Sequence, residues 1–312
     1  MKTFIKKIAL MSIPFFIMVL IVWIYDPLNY FGNNNIIPQV QKNVVLDNYS
    51  GNDMIKQGEI KKIFFRLKRK DVNCWIIGDS RTAPISVNYI DSLSQEKWCN
   101  MGLPGCYTNS ATSSFFWLVN HSYIKPKVVY WGHNFWYATS KDYFVEIDDY
   151  GETLLTYITS KRVWGFIQEL CVLGKGENVS NNSKESQVDT YNIKNEWDDI
   201  VSRKQNEVLT KQIVVDSYVY TLIDSVSNYC KNHNIRLIHV YPPEYKELLA
   251  IINSDSTTNA EYQNYLNHLS QYEFYNFNQG KWIENKEDFV DPMHPKPHMY
   301  INIIDSIFSS RE

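Results

Sequence analysis

The sequence predicts an α/β domain on a mostly parallel sheet with helices on both faces, set behind one amino-terminal apolar helix. Short apolar runs at "VNCWIIG" (72–78), "VVYWGHN" (128–134), "IRLIHVY" (235–241) and "YEFYNF" (272–277) alternate with longer stretches of helical periodicity. The first two runs stop abruptly at polar residues, which is where an open α/β sheet holds its ligands. The chain has 312 residues and is 44% hydrophobic, enough for one substantial core, and no clear linker divides it.

The amino terminus comes first. Lys2, Lys6 and Lys7 precede "IALMSIPFFIMVLIVWIY", an uncharged run from Ile8 to Tyr25. At about 1.5 Å per residue it spans roughly 27 Å, close to a bilayer's hydrocarbon core. A cleaved signal peptide would want small residues near its cleavage site, whereas this run ends in Val22-Trp23-Ile24-Tyr25-Asp26-Pro27, and no cysteine follows to take a lipid. Residues 1–25 are therefore expected to be a cytoplasmic tip and an uncleaved transmembrane anchor. The lysines before the run, and the lack of any basic residue from Ile8 to Gln41, point the amino terminus to the cytoplasm. The bulk is then extracytoplasmic, either periplasmic or at the cell surface.

Residues 26–72 read as a stalk and a basic helix. Asp26 to Asp53 is rich in Asn, Pro and Gly, and "MIKQGEIKKIFFRLKRK" (54–70) carries seven Lys or Arg beside an apolar stripe. Residues 73–312 form the main domain. A helix is expected after Ser80, then the loop "CNMGLPGCYTNS" (99–110) and a helix over 111–124. An insertion is expected around 138–213. It holds a helix-like piece (152–173) and a polar stretch, "GKGENVSNNSKESQVDTYNIKNEWDD" (174–199). That stretch has too few apolar residues to pack, so it reads as an insertion or mobile loop. Helices at 214–234 and near 258–271 flank the third strand, and a loop from Asp288 leads into a terminal helix.

Composition narrows the function. A net charge of -3 gives no reason to expect nucleic acid. Five cysteines (74, 99, 106, 171 and 230) fit no metal spacing, and their odd number leaves at least one unpaired. The strand ends are more specific. They place Gly78-Asp79-Ser80, Gly132-His133-Asn134 and the loop with Asp291 and His294 on one edge of the sheet. A serine hydrolase needs a nucleophile, a base and an acid that orients the base. Ser80, His294 and Asp291 supply these, with Asp291 near enough in sequence to reach the imidazole locally. Donors for a developing oxyanion could come from the Ser80 backbone, the glycine loop at 102–105 and the Asn134 amide.

Each residue also has a plainer reading. Ser80 at a strand–helix junction could be an N-cap. His294 and His298 are four apart and could ligate a metal beside Asp291. Pro295 and Pro297 disrupt such a helix and no third ligand is evident, so neither metal nor cofactor is expected. His133 and Asn134 should point to opposite faces, with Asn134 toward the pocket. Arg81 is expected in a structural ion pair. Trp131, Trp136 and Tyr137 could line a sugar platform or fill the core.

"GDSRT" is not the Gly-x-Ser-x-Gly elbow of α/β-hydrolases. Instead, four blocks in order resemble the SGNH, or GDSL-like, hydrolase superfamily. Gly78-Asp79-Ser80 resembles the first block, with Ser80 as nucleophile. "NMGLPG" (100–105) resembles the second, with Gly105 as oxyanion glycine. "GHNF" (132–135) is similar to the third, with Asn134 as oxyanion amide. Asp291-Pro292-Met293-His294 resembles the final Asp-x-x-His. Phe135 departs from the pattern, standing where the third block usually has Asp. The resemblance implies a three-layer α/β/α, flavodoxin-like fold. The Arg after the serine, the anchor ending in "DPLNYFG" and the strand ending "YPP" resemble the membrane-anchored branch. That branch includes alginate O-acetylation and teichoic-acid D-alanylation proteins.

The resemblance implies a serine esterase or O-acyltransferase. Its substrate would be an acylated glycan or small ester, its acyl group acetyl, and its partner a polytopic membrane O-acyltransferase. The alternative is a catalytically silent scaffold of the same fold, to which Phe135 and the insertion lend support.

Overall fold

Five strands set the architecture: β1 (Cys74–Ile77), β2 (Trp98–Asn100), β3 (Val128–Gly132), β4 (Arg236–Tyr241) and β5 (Phe274–Asn276). In this computed structural model they form one sheet in the order β2-β1-β3-β4-β5, and every neighbouring pair is parallel. This is the flavodoxin-like doubly wound order, whose switch point lies between β1 and β3. The structure describes residues 2–25, 61–62, 65, 70–139, 154–159, 163–165, 167–168, 193–211 and 213–309.

Helices cover both faces, which is why the strands read as continuous apolar runs. On one face, α2 (Val87–Ser94) and the carboxyl-terminal α10 (Pro297–Phe308) bury Ile90, Ile303, Ile304 and Ile307 against Cys74, Ile76, Tyr130 and Ile238 of the sheet. On the other, α3 (Thr108–His121) packs against α7 (Ser217–Asn232). Phe115 of α3 sits edge-on to Trp75 of β1 (ring centroids 6.0 Å) and to Tyr229 of α7 (5.5 Å). A short helix, α4 (Phe135–Ala138), follows β3, while α8 (Lys246–Asn253) and α9 (Ser256–Leu269) connect β4 to β5.

Two elements depart from the sequence reading. β2 stands where a loop was expected to begin; it has three residues, two of them Cys and Asn, so it leaves no apolar run. The helix α6 (Ile193–Thr210) starts inside the polar stretch expected to be an insertion or mobile loop. Among its described side chains the buried apolar residues are few: Trp197, Ile200 and Val208. Trp197 packs edge-on against Tyr245 (5.3 Å), and its indole N–H donates to Glu247 (3.0 Å). Residues 174–192 of the stretch lie outside the described residues.

The chain divides into two units, residues 1–68 with 148–183 and residues 69–147 with 184–312. The sheet lies in the second. In the first, α5 (Leu154–Thr159) packs on α1 (Lys2–Tyr25). The described side chains of α1 begin at Ser12, and Phe16, Ile17 and Leu20 among them are exposed. Among the described residues no helix is long and apolar enough to cross a membrane. Ser12–Tyr25 would rise roughly 21 Å at about 1.5 Å per residue, short of a roughly 30 Å hydrocarbon core. The transmembrane helix expected over 1–25 is thus not shown, and its first part lies outside the described side chains. Most of the stalk and basic helix also lies outside the described residues.

The ends of β1, β2 and β3 converge on Thr82, which is fully buried. A Cβ on Gly132 would fall 2.0 Å from Thr82 Cγ2, and one on Gly78 would fall 2.8 Å from the Gly132 carbonyl oxygen. Gly78 also holds φ +140°, outside the range L side chains favour. Gly132→Ala should therefore cost about 1–3 kcal/mol of stability in urea unfolding. Adding Thr82→Ser removes the colliding methyl and should recover most of that loss. A double variant as unstable as Gly132→Ala alone would refute the packing account.

Candidate functional site

β1 ends in a tight turn rather than a helix. The Asp79 carbonyl accepts the backbone N–H groups of Thr82 (3.0 Å) and Ala83 (3.1 Å) and the Thr82 hydroxyl (2.8 Å). The next helix, α2, is capped by Ser86, whose hydroxyl accepts the Tyr89 N–H at 3.3 Å. Ser80 is therefore not an N-cap, and it stands partly exposed on the turn.

Ser80 Oγ lies 2.8 Å from His294 Nε2, although the two residues are 214 positions apart. His294 and Asp291 face each other in a small antiparallel hairpin of β6 (Phe289–Asp291) and β7 (His294–Pro295). Asp291 Oδ1 accepts the backbone N–H groups of Met293 (2.7 Å) and His294 (3.0 Å). That leaves Oδ2 for His294 Nδ1 at 2.7 Å. A carboxylate can only accept, so the proton sits on Nδ1 and Nε2 presents its lone pair to Ser80. Burial works against the charged imidazole, but the Asp291 hydrogen bond and charge, with Asp79, outweigh it and raise the His294 pKa.

Asn134 caps α4 through its side-chain oxygen, which accepts the Trp136 N–H at 3.0 Å. Its Nδ2 donates to Asp79 Oδ2 at 2.7 Å. An amide nitrogen carries two N–H bonds, and this contact uses one of them. Gly105 sits in a turn at φ +67°. Its loop is tied to β1 by the Leu103 N–H, which donates to the Gly78 carbonyl at 2.9 Å. Asn100 stitches the same loop to the Ser80 turn. Its amide donates to the carbonyls of Thr82 (2.9 Å) and Ile85 (3.0 Å), and its oxygen accepts the Gly102 N–H (2.9 Å). Among the described residues, neither the Ser80 nor the Gly105 backbone N–H meets a protein acceptor.

Arg81 makes the expected ion pair, but with two acids. It is fully buried; Nε meets Asp79 Oδ2 at 3.2 Å and Nη1 meets Glu244 Oε1 at 2.8 Å, while Nη2 donates to the His133 carbonyl. Burial disfavours the cation, yet the Asp79 and Glu244 charges outweigh it and raise its pKa. Glu244, also fully buried, is raised by burial against the pull of Arg81 and Lys204. Sequence reasoning missed Glu244 and Asn100. Nothing marked Glu244 beyond its place after the strand ending "YPP".

The neighbouring candidates sort by direction. His133 points into the core, with Nδ1 3.1 Å from the Tyr265 hydroxyl and Nε2 2.8 Å from His239 Nδ1. Burial lowers the pKa of both imidazoles, that of His239 to about 3, so neither takes up a proton near neutrality. Phe135 is buried edge-on against Tyr262 (5.2 Å), in an aromatic pocket that suits it better than an aspartate. Trp131 and Trp136 are buried, whereas Tyr137 is half-buried against Tyr107 (4.9 Å). His298 is exposed on α10 and bonded to Asp288 (3.0 Å), away from the hairpin strand that holds His294.

No family model matches the chain, and no curated protein matches it. Among solved structures, a Bacteroides fragilis protein assigned as an acylhydrolase is 12% identical, with a TM-score of 0.40, over 79% of this chain and 94% of that one. A Streptococcus pneumonia protein assigned as a platelet activating factor is 11% identical, with a TM-score of 0.41, over 85% of this chain and 96% of that one. A GDSL-like lipase of Bacteroides thetaiotaomicron is 12% identical, with a TM-score of 0.36, over 78% of this chain and 88% of that one. Likeness this weak decides neither fold nor chemistry, which rest on the strand order, the register and the contacts at Ser80.

Proposed function

We propose that this chain is an SGNH-type serine acyl esterase or O-acyltransferase. The observation that carries the proposal is the continuous hydrogen-bonded path from Ser80 Oγ through the His294 ring to Asp291. Ser80 attacks an ester carbonyl while His294 Nε2 takes its proton. Asp291 holds the imidazole in the required tautomer and favours the imidazolium that forms. The charge on the carbonyl oxygen falls to the backbone N–H groups of Ser80 and Gly105 and to the second N–H of Asn134. Collapse expels the alcohol, which takes the proton from His294, and leaves an acyl group on Ser80. Water then accepts the acyl group in an esterase and a sugar hydroxyl accepts it in a transferase, with His294 as base in either case.

The proposed substrate is an acylated, most simply acetylated, cell-surface glycan, in keeping with the membrane-anchored branch that the sequence resembles. By the same resemblance the partner is a polytopic membrane O-acyltransferase. The lysines before the apolar run at 8–25 support an anchored protein with its catalytic unit extracytoplasmic. The silent-scaffold alternative drew on Phe135, whose ring fills a core pocket while Asn134 keeps its cap and its bond to Asp79.

The direct test uses the full chain in detergent, a fluorophosphonate probe and p-nitrophenyl acetate, beside Ser80→Ala. Labelling and turnover should both vanish in the variant; a folded wild type that neither labels nor turns over would refute the enzyme reading. Asn134→Ala should lower turnover on the order of 10²- to 10³-fold.

The pH profile follows from His294. Only the neutral imidazole accepts the serine proton, so kcat/KM should fall as pH drops through a midpoint above the usual 6.5. Asp291→Asn removes the hydrogen bond and charge that raise this pKa and leaves burial, so its acid limb should move to lower pH while the plateau falls. An acid limb unmoved by Asp291→Asn would exclude Asp291 as the group that sets the base.

A further inference from the structure

The buried acid Glu244 has no part in the steps above. We infer that it is a positioning residue for the Ser80 centre, acting through Arg81 and Asp79 to fix the direction of the Asn134 amide. The inference rests on the proposed role of Asn134 as an oxyanion donor.

The path is continuous. Glu244 Oε1 accepts Arg81 Nη1 at 2.8 Å, Arg81 Nε meets Asp79 Oδ2 at 3.2 Å, and the same Oδ2 accepts Asn134 Nδ2 at 2.7 Å. Glu244 is itself held from two sides. Its Oε2 accepts the Trp136 indole N–H (3.3 Å), and its backbone N–H donates to Asn278 Oδ1 (2.9 Å). Glu244, Arg81, Asp79 and Asn134 are all at least nine-tenths buried.

The amide has two orientations in principle, and charge selects one. Flipping Asn134 would turn its carbonyl oxygen onto the Asp79 carboxylate and lose both the Asp79 and the Trp136 contacts. The selection therefore needs Asp79 charged and its Oδ2 held still. Arg81 supplies the countercharge and shares that oxygen. A guanidinium has a rigid fork, so its heading is set only when its outer nitrogens also meet acceptors. One outer nitrogen meets the His133 carbonyl and the other meets Glu244. Asp79 Oδ1 accepts the Arg81 backbone N–H at 2.9 Å, and the His133 carbonyl keeps one end of the fork. Losing the Glu244 charge therefore releases the other end and shifts the pull of Arg81 Nε on Asp79 Oδ2, the oxygen that orients the amide. A buried ion pair adds little net stability over apolar packing, so positioning is the effect to test.

The test is a double-mutant cycle on p-nitrophenyl acetate turnover by the full chain, using Glu244→Gln, Asn134→Ala and the pair. Glu244→Gln keeps the size and loses the charge. It should lower kcat and kcat/KM together by roughly 10-fold or more, as for an interaction realised in the transition state. In the Asn134→Ala background the same change should cost less than about twofold. Equal losses in both backgrounds, or full activity in folded Glu244→Gln, would overturn the inference. If Glu244→Gln does not fold, Trp136→Phe removes only one donor to Glu244 and should show a smaller, equally coupled loss. Were Asn134 no oxyanion donor, Asn134→Ala would itself be silent. Side-chain amide resonances in ¹⁵N-asparagine-labelled protein, assigned by difference with Asn134→Ala, read the positioning apart from activity. Glu244→Gln should shift the Asn134 pair, and an unmoved pair refutes the inference.

Discussion

The fixed point of this architecture is the buried charge of Arg81. A guanidinium removed from water costs several kcal/mol unless each face of its fork finds an acceptor. Here the acceptors come from the ends of three strands: Asp79 after β1, the His133 carbonyl after β3 and Glu244 after β4. Meeting that charge requires β1, β3 and β4 to end at one level. The register agrees, since Ile77 pairs with Trp131 and Gly132 with Val240. The turn carrying Ser80 is then held from below by Arg81 and from the side by Thr82, where the glycines admit no side chain.

The histidines show how environment sorts one residue type into different roles. His133 and His239 are buried and His294 is half-buried, and burial alone would lower each pKa. Only His294 has a carboxylate on its ring, and its pKa rises. His133 and His239 have each other, a tyrosine and a serine, and both fall. A base able to take a serine proton near neutrality is therefore the one beside Asp291.

Much of this was legible in the sequence because it is local or follows from strand polarity. Asp291 and His294 are three apart, and the abrupt ends of the β1 and β3 runs placed Ser80 and Asn134 on one edge. What escaped depends on distance or thin patterning. Arg81 and Glu244 are 163 residues apart, and only the order β1-β3-β4 brings them together. β2 is too short and polar for its apolar pattern to show. Among the described side chains of α6 the buried apolar residues are sparse; the Trp197 indole packs on Tyr245, and the Lys204 ammonium lies 4.5 Å from the Trp136 ring centre. A polar-looking segment can dock when its contacts are amphipathic side chains rather than an apolar stripe.

The segment after β4 joins the two halves of the site. Glu244 holds Arg81, and through it the side on which Asp79 and Asn134 lie. The next residue, Tyr245, donates its backbone N–H to the Pro292 carbonyl at 2.8 Å, inside the turn between Asp291 and His294. Its ring also packs on Phe289 at the start of that hairpin (5.7 Å). Two adjacent residues thus fix the Asn134 side by a charge and the His294 side by a backbone hydrogen bond. A shift of either side relative to the other would have to break a fully buried ion pair or lift the hairpin from Tyr245. The 2.8 Å contact between Ser80 and His294 is in this sense a consequence of how the chain leaves β4, far in sequence from the serine and well before the histidine.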